Sequence, residues 1–356
     1  MPVAAGHWRR GGRLASVDLT VRGAGIIGLS IAWEAVERGA RVRVVDPAGP
    51  GAGASGGIVG ALAPHVPENW NPKKAFQLDS LIRAEAFWAD VEAASGAPSG
   101  YARSGRVQPL ADTDAVTLAR SREDGARALW PERFAWNVEP ADLAMWGIVS
   151  ASGLMLRDTL SGRLHPARAC AALAAALSAR GVEIVQEAPE ATPTIWAAGW
   201  EGLRDLGAHL DRAVGQPIKG QAALFALDRR DQPQLFIDGL HVIGHDDGTT
   251  AVGSTTERAT TSTTTDDALE DLIARARALV PALADAPVVT RWAGLRPRAR
   301  SRAPLMDAWP GRPGHFVANG GFKIGFGMAP GIARSMVDLV LDDRVTFPDD
   351  FRFDAL

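Results

Sequence analysis

Cysteine is nearly absent from this sequence. The 356 residues hold one, Cys170, which excludes an intramolecular disulfide framework and a multi-cysteine metal site and suits a reducing compartment. No apolar run approaches the roughly 18–20 residues a transmembrane helix needs. An excess of one charge is missing too: 38 Lys and Arg against 41 Asp and Glu leave a formal −3, so no global field draws in nucleic acid or an anionic membrane. The leading residues include the basic His7-Trp8-Arg9-Arg10, but no apolar stretch follows them, so no secretory signal is expected. The expectation is a cytoplasmic chain with no membrane span, no metal site and no nucleic-acid partner; homo-oligomers remain compatible with it. Tyrosine occurs once, as Tyr101, and no repeat is evident. The remainder, 46% hydrophobic and 22% charged, is ordinary globular composition, long enough for two packed cores.

What is present starts with a short strand, Asp18-Leu19-Thr20-Val21-Arg22, followed by the turn Gly23-Ala24-Gly25-Ile26-Ile27-Gly28. Ile26 to Arg38 carries Ile27, Ile31 and Ala35 on one face and reads as a helix, closed by Gly39. Arg41 to Asp46 is the second strand, completing β-α-β in about 30 residues. Pro47 to Gly60 is a glycine-rich loop. Phe76–Ala94, Asp112–Leu129 and a segment opened by His165-Pro166 read as helices, and Val182–Val185 and Thr194–Gly199 as strands. From Pro217 the texture changes to short strands at Gln221–Leu227, Gln234–Ile237, His241–Gly244 and Thr249–Gly253, with Asp247-Gly248 as a hairpin turn. Thr265 is placed to cap a helix over Asp266–Leu279. His315–Ala318 reads as a last strand, followed by a helix from about Ala329 to Leu341. The expected fold is α/β: a Rossmann-like nucleotide domain (17–60, 150–205 and 305–345) interleaved with an antiparallel-sheet α+β substrate domain (61–149 and 206–304).

The glycine turn has a specific physical reading. Gly23 permits the tight turn, Gly25 lets backbone approach a pyrophosphate, and Gly28 lets helix and strand pack closely. The helix N-terminus adds free N–H groups and partial positive charge. Asp46 ends the next strand, roughly 20 residues on, where an acid accepts ribose hydroxyls and disfavours a 2′-phosphate. The turn alone does not choose between NAD and FAD. NAD enzymes keep their two mononucleotide halves adjacent, whereas this chain leaves after Asp46 and returns late, through Gly320-Gly321-Phe322-Lys323-Ile324-Gly325-Phe326-Gly327. A helix opening there would aim its dipole at a flavin ring, which turns the reading towards FAD.

Several blocks then resemble the D-amino-acid oxidase superfamily, most closely its glycine oxidase and sarcosine oxidase branch. They are Val21 to Ser30, Gly53-Ala54-Ser55-Gly56-Gly57 with Ala61-Leu62-Ala63-Pro64, Trp196-Ala197-Ala198-Gly199, Pro217-Ile218-Lys219-Gly220-Gln221, Trp292-Ala293-Gly294-Leu295-Arg296-Pro297 and the final glycine segment. The resemblance implies oxidation of a small amino acid or amine (glycine, sarcosine or a D-amino acid) by hydride transfer to flavin N5, with oxygen or another acceptor reoxidising the flavin. Contacts to FAD are expected from Gly23, Gly25, Ile26, Ile27, Gly28 and Asp46. A second group comprises Ala54, Ser55, Gly57, Ala198 and Gly199, and a third Gly321, Lys323, Ile324 and Gly325.

Arg296 stands where the family clamps the substrate carboxylate, at what reads as a strand end. A guanidinium matches a carboxylate bidentately and stays charged. Lys323 replaces an arginine facing the substrate, and His241 replaces a tyrosine; a packing histidine is the competing reading of His241. His245 stands where an arginine is common. Ala251 replaces the oxygen-activating lysine of sarcosine oxidases, and Ser301 a usual acid. His65 and Tyr101 are each divided between lining a cavity and ordinary packing, and Cys170 reads as core. Three further functions stay open: a dehydrogenase with a non-oxygen acceptor, a flavin domain acting on a tRNA-borne amine, and a non-catalytic nucleotide-binding protein.

Overall fold

The structure, a computed structural model, describes residues 17–258 and 260–356; His7 to Arg10 lie outside the described residues. β1 (Leu19–Arg22), α1 (Ile26–Glu37) and β2 (Val42–Val45) open the chain, followed by β3 (Gly60–Leu62) and the long α2 (Pro72–Ser95). Next come β4 (Arg106–Pro109), α3 (Thr113–Leu129), β5 (Trp136–Pro140), β6 (Leu154–Asp158), β7 (Gly162–Leu164) and α4 (Pro166–Ala179). β8 (Glu183–Val185), β9 (Thr194–Trp196) and α5 (Gly199–His209) lead to β10 (Gly215–Phe225), β11 (Gln234–Ile237), β12 (Leu240–Gly244) and β13 (Thr250–Gly253). α6 (Asp267–Leu279), β14 (Val288–Ala299), β15 (Leu305–Ala308), β16 (His315–Asn319) and α7 (Gly325–Asp342) complete the order. Among the described residues no helix is long and apolar enough to cross a membrane.

Two large sheets organise these elements. The six-stranded sheet runs β15-β16-β9-β1-β2-β8, parallel apart from β15 at its edge. Parallel strands need cover on both faces. α1, α2, α4 and α7 share one apolar core with β1 and β2, while α5 builds a smaller one with β15 and β16. The eight-stranded sheet runs β14-β10-β13-β12-β11-β4-β6-β5 and is antiparallel except where β4 meets β11. One of its faces packs on α6 through Val107, Leu235, Val242, Val252, Leu269 and Ile273. Side chains alternate along a strand, so the register decides what the other face presents. Arg106 lies opposite Gln234, and Phe236 opposite His241; Arg106, Phe236 and His241 therefore share the face turned away from α6.

Several expectations change here. β6 falls within 150–205 but joins the larger sheet, and α2 falls within 61–149 but packs on α4 and α7. The buried side of α2 (Leu78, Leu81, Ala84, Trp88, Val91) is legible as apolar, but hydropathy names a face and not its partner. Arg296 sits inside β14, not at a strand end. β14 is an edge strand, where Pro297 costs no ladder hydrogen bond to a further neighbour. α7 begins at Gly325 rather than near Ala329. Its glycines lower helix propensity but serve packing: a Cβ on Gly331 would come within 3.0 Å of Phe76 and Ser80.

The cap of α6 is Asp266, not Thr265; its carboxylate accepts from Ala268 N–H. The same carboxylate contacts the Lys219 ammonium, which also reaches Glu257 at 3.3 Å. The Gln221 amide donates to Asp266 at 2.6 Å and to Glu257 at 2.9 Å. Lys219 is 1% exposed. Burial pulls its pKa down, but the two carboxylates outweigh this and hold it raised. The network ties the start of α6 to β10. Lys219→Met leaves two part-exposed carboxylates without their cation, so a loss of about 1–3 kcal/mol is expected, read as a lowered Tm in a thermal scan.

Candidate active site

The first half of the site is a phosphate cradle at the β1–α1 turn. Gly23 has φ +113°, and a Cβ there would meet the Ala197 carbonyl at 2.4 Å. A Cβ on Gly28 would reach the Gly23 carbonyl at 1.9 Å, so helix and strand approach only because both are glycine. Gly25 differs: a Cβ there would meet only the Ser55 side chain, with Oγ at 3.1 Å. Gly25 is the N-cap of α1 and brings no capping side chain, leaving first-turn amides for an anion. The Ile26 N–H donates to Ser55 Oγ at 3.0 Å, which pins the short 3-10 turn Ala54–Gly56 to the helix start. Asp46 accepts from Ala24 N–H at 2.7 Å and from Ala48 N–H at 2.9 Å. It thus stiffens the turn, and a carboxylate's spare lone pairs remain for hydroxyl donors.

Two further segments close on this cradle. Ala198 caps α5, and Gly199 opens it at φ +61°. Gly321 lies where a Cβ would approach Ile27 at 3.3 Å, and Gly325 where one would approach Ile26 at 3.8 Å, so the start of α7 adjoins the start of α1. Ile324 is the N-cap of α7. Cys170 backs the cradle from α4, its Sγ 3.7 Å from the Ser55 carbonyl. Burial pushes its pKa up to about 12, so it is an inert core thiol.

The second half is a cavity of about 230 Å³ between the larger sheet, the loop after β3, α2 and the segment before α7. His241 and Lys323 line it together, with His65, Gln77, Arg106 and Phe236. His241 packs against Phe236 at 4.9 Å between ring centroids, and its buried Nδ1 has no protein partner. Burial first, then the charges of Arg106 and Lys323, lower its pKa to about 4, so it is neutral near pH 7. Burial, with Arg296 nearby, lowers that of Lys323. His65 contacts the Gln77 side-chain oxygen through Nδ1, and burial lowers its pKa.

Arg296 lies beside this cavity, with Phe322 between it and Lys323. Its Cζ is 5.7 Å and the Lys323 Nζ 5.8 Å from the Phe322 ring centroid. Arg296 Nη1 donates to Ser254 Oγ at 3.0 Å and Nη2 to the Thr255 carbonyl at 2.5 Å. A Cβ on Gly220 would overlap Nη2 at 1.8 Å; the glycine of the Lys219-Gly220-Gln221 block makes room for the guanidinium. Burial lowers the Arg296 pKa to about 10, so it stays a cation near neutrality.

Other candidates separate from the site. His245 is buried away from the cavity, donating through Nε2 to the Ile58 carbonyl at 2.9 Å and stacking on His165, with a pKa lowered to about 4 by burial and His165. Tyr101 packs against the main core and does not line the cavity. Ala251 is buried in an apolar cluster with Ile58, Ala222, Leu224 and Ile243. Arg106, Gln77 and Phe236 were not singled out from sequence. Arg106 begins the short Arg106-Val107-Gln108-Pro109 strand, and a charge at a strand start reads as solvated; only the period-2 pattern shared with Phe236 and His241 carried a signal.

A family model described as FAD dependent oxidoreductase matches residues 18–339. The chain belongs to that family. Its cofactor is FAD, and the gap at Gly25, the uncapped start of α1 and the adjoining start of α7 fit a dinucleotide. Glycine oxidase of Pseudomonas putida is 36% identical over 165 residues, 45% of this chain and 44% of that protein, so the match spans less than half of that relative. Glycine oxidase of Bacillus licheniformis is 24% identical over 369 residues, 92% and 94% of the two chains. The crystal structure of glycine oxidase from Geobacillus kaustophilus superposes with a TM-score of 0.84 at 21% identity, covering 94% and 98%.

Two tests follow from the geometry. Gly25→Ala is expected to lower flavin content, read as the visible-to-280 nm absorbance ratio, with little change in apoprotein Tm, whereas Gly28→Ala lowers both. Between pH 6.5 and about 4 the unfolded chain binds protons that folded His241 and His245 refuse. Their contribution to stability is full above pH 6.5 and lost as pH falls towards 4. Urea denaturation at pH 7 and pH 5 is expected to show it, with a flatter dependence in His245→Asn.

Proposed function

We propose that this chain oxidises a small amino acid or amine of the glycine, sarcosine or D-amino acid type. The observation that carries the reading is the meeting of His241 and Lys323 in one cavity, beside Arg296 and next to the start of α7. Bound FAD supplies a two-electron acceptor for the hydride of the carbon next to nitrogen. The amine gives up a proton, a C=N bond forms, and water then releases the 2-oxo acid and ammonia or an amine.

The protein's part is to bind, orient and set protonation. Arg296 offers a planar cation for the substrate carboxylate, and Lys323 adds a point charge. The cavity lining holds no carboxylate, so its positive field lowers the pKa of a bound ammonium and favours the free amine, the form that donates hydride. His241, neutral and with an unpartnered Nδ1, holds a hydrogen bond to the amine or accepts its proton. A second reading, a dehydrogenase with a non-oxygen acceptor, is favoured by Ala251, which leaves no cation on that strand position.

Purified protein is expected to be yellow and to bleach anaerobically with glycine, sarcosine or a D-amino acid; no bleaching with any of them overturns the reading. Arg296→Ala is expected to raise KM about 100-fold, since a cation beside the substrate carboxylate is lost, with flavin content retained. Slow reoxidation by dissolved oxygen would select the dehydrogenase.

A further inference from the structure

We propose that the amine substrate carries two anionic groups and that Arg106 receives the second. The proposal rests on the function above and narrows its substrate class.

Arg106 is 8% exposed and lines the cavity. Its Nε lies 2.9 Å from Asp158 Oδ2, and Asp158 is fully buried. Asp158 also accepts from the Ser161 N–H at 2.7 Å and from the Ser161 hydroxyl at 3.0 Å, so it is held in place on three sides. Among the described residues the buried Nε of Arg106 has no hydrogen-bond acceptor besides its ion pair with Asp158, and no ion pair is found at its two terminal nitrogens. Buried donors without acceptors are costly, and native interiors keep few of them. A guanidinium held from one side by a buried carboxylate, with its terminal nitrogens turned to a cavity, is suited to a second carboxylate.

Of the rest of the wall, Lys323 carries the same sign and the histidines are held towards the neutral form. Lys323, His241 and His65 line it and no acid does, and Arg296 adds positive charge from the other contact of Phe322. A monocarboxylic amine that reacts as the free base brings one negative charge, which Lys323, reinforced by the nearby charge of Arg296, suffices to meet. Arg106 is then left without an acceptor. An amine with two carboxylates matches both cations of the cavity lining, Arg106 and Lys323, and specificity of this kind is strong because a buried polar group is unpaired in the wrong complex.

The test uses holoenzyme and two matched pairs in anaerobic flavin reduction. Sarcosine and N-carboxymethylglycine differ by one carboxylate on the nitrogen side; D-alanine and D-aspartate differ by one on the side chain. At least one diacid is expected to show kcat/KM 10-fold or more above its monoacid partner, and the pair that does so locates the second group. Arg106→Lys is expected to lower that diacid-to-monoacid ratio at least 10-fold. Because Asp158 is buried, the double variant Arg106→Met/Asp158→Asn, which removes both charges, is measured alongside it. Monoacids that reduce the flavin as well as or better than the diacids, or a ratio that neither variant moves, overturn this inference and leave the proposed function standing. If no member of either pair reduces the flavin, the proposed function fails, and binding of non-reducing acids decides the matter. Malonate perturbing the flavin spectrum at 10-fold lower concentration than acetate, with the difference lost in Arg106→Lys, supports the assignment; equal binding overturns it.

Discussion

Cations held out of water set the terms for this molecule. Lys219, Arg106 and Arg296 are all withdrawn from solvent, and each is stabilised from behind. Lys219 has Asp266 and Glu257, Arg106 has Asp158, and Arg296 has carbonyls and a hydroxyl. The front of the site carries no carboxylate. Removing one member of the buried Arg106–Asp158 pair costs about 3–5 kcal/mol because the other is left charged and alone. The acid behind the wall, Asp158, is therefore part of the condition that lets Arg106 stand there as a cation.

That arrangement links the fold to the chemistry. The pairing of β10 with β14 sets Arg296 on the same face as Gly220, and the missing side chain there is the space the guanidinium fills. The β4–β11–β12 register sets Arg106, Phe236 and His241 on one face. The opposite face is apolar and buried on α6, so a one-residue slip of register would bury the charges in that core and expose its valines and leucines. The site's geometry thus inherits its precision from core packing.

The nucleotide half follows a different logic. Its determinants are steric and local: two glycines whose substitution would drive atoms to within 1.9–2.4 Å of a carbonyl, and one whose missing side chain leaves room. Such constraints act over a few residues of chain, and they are written in spacing. The glycine turn, Asp46 and the Ser55 loop are legible in that spacing, whereas α7 opens at Gly325, earlier than the pattern of apolar residues places it. The caps were less so, since Asp266 displaces Thr265 for the sake of a contact with Lys219, 47 residues away.

Sequence by itself determined the β-α-β unit, the dinucleotide turn and the family, because each depends on backbone sterics or a short motif. The tertiary structure alone decided which elements share a sheet, that β6 and α2 cross the expected boundaries, and that His245 and Tyr101 stand apart from the cavity. It also decided that Arg106, which no motif marks, joins His241 and Lys323 in one wall. The reason is physical: strand register and helix docking are fixed by the summed burial of distant apolar faces, and no local pattern encodes which faces will meet.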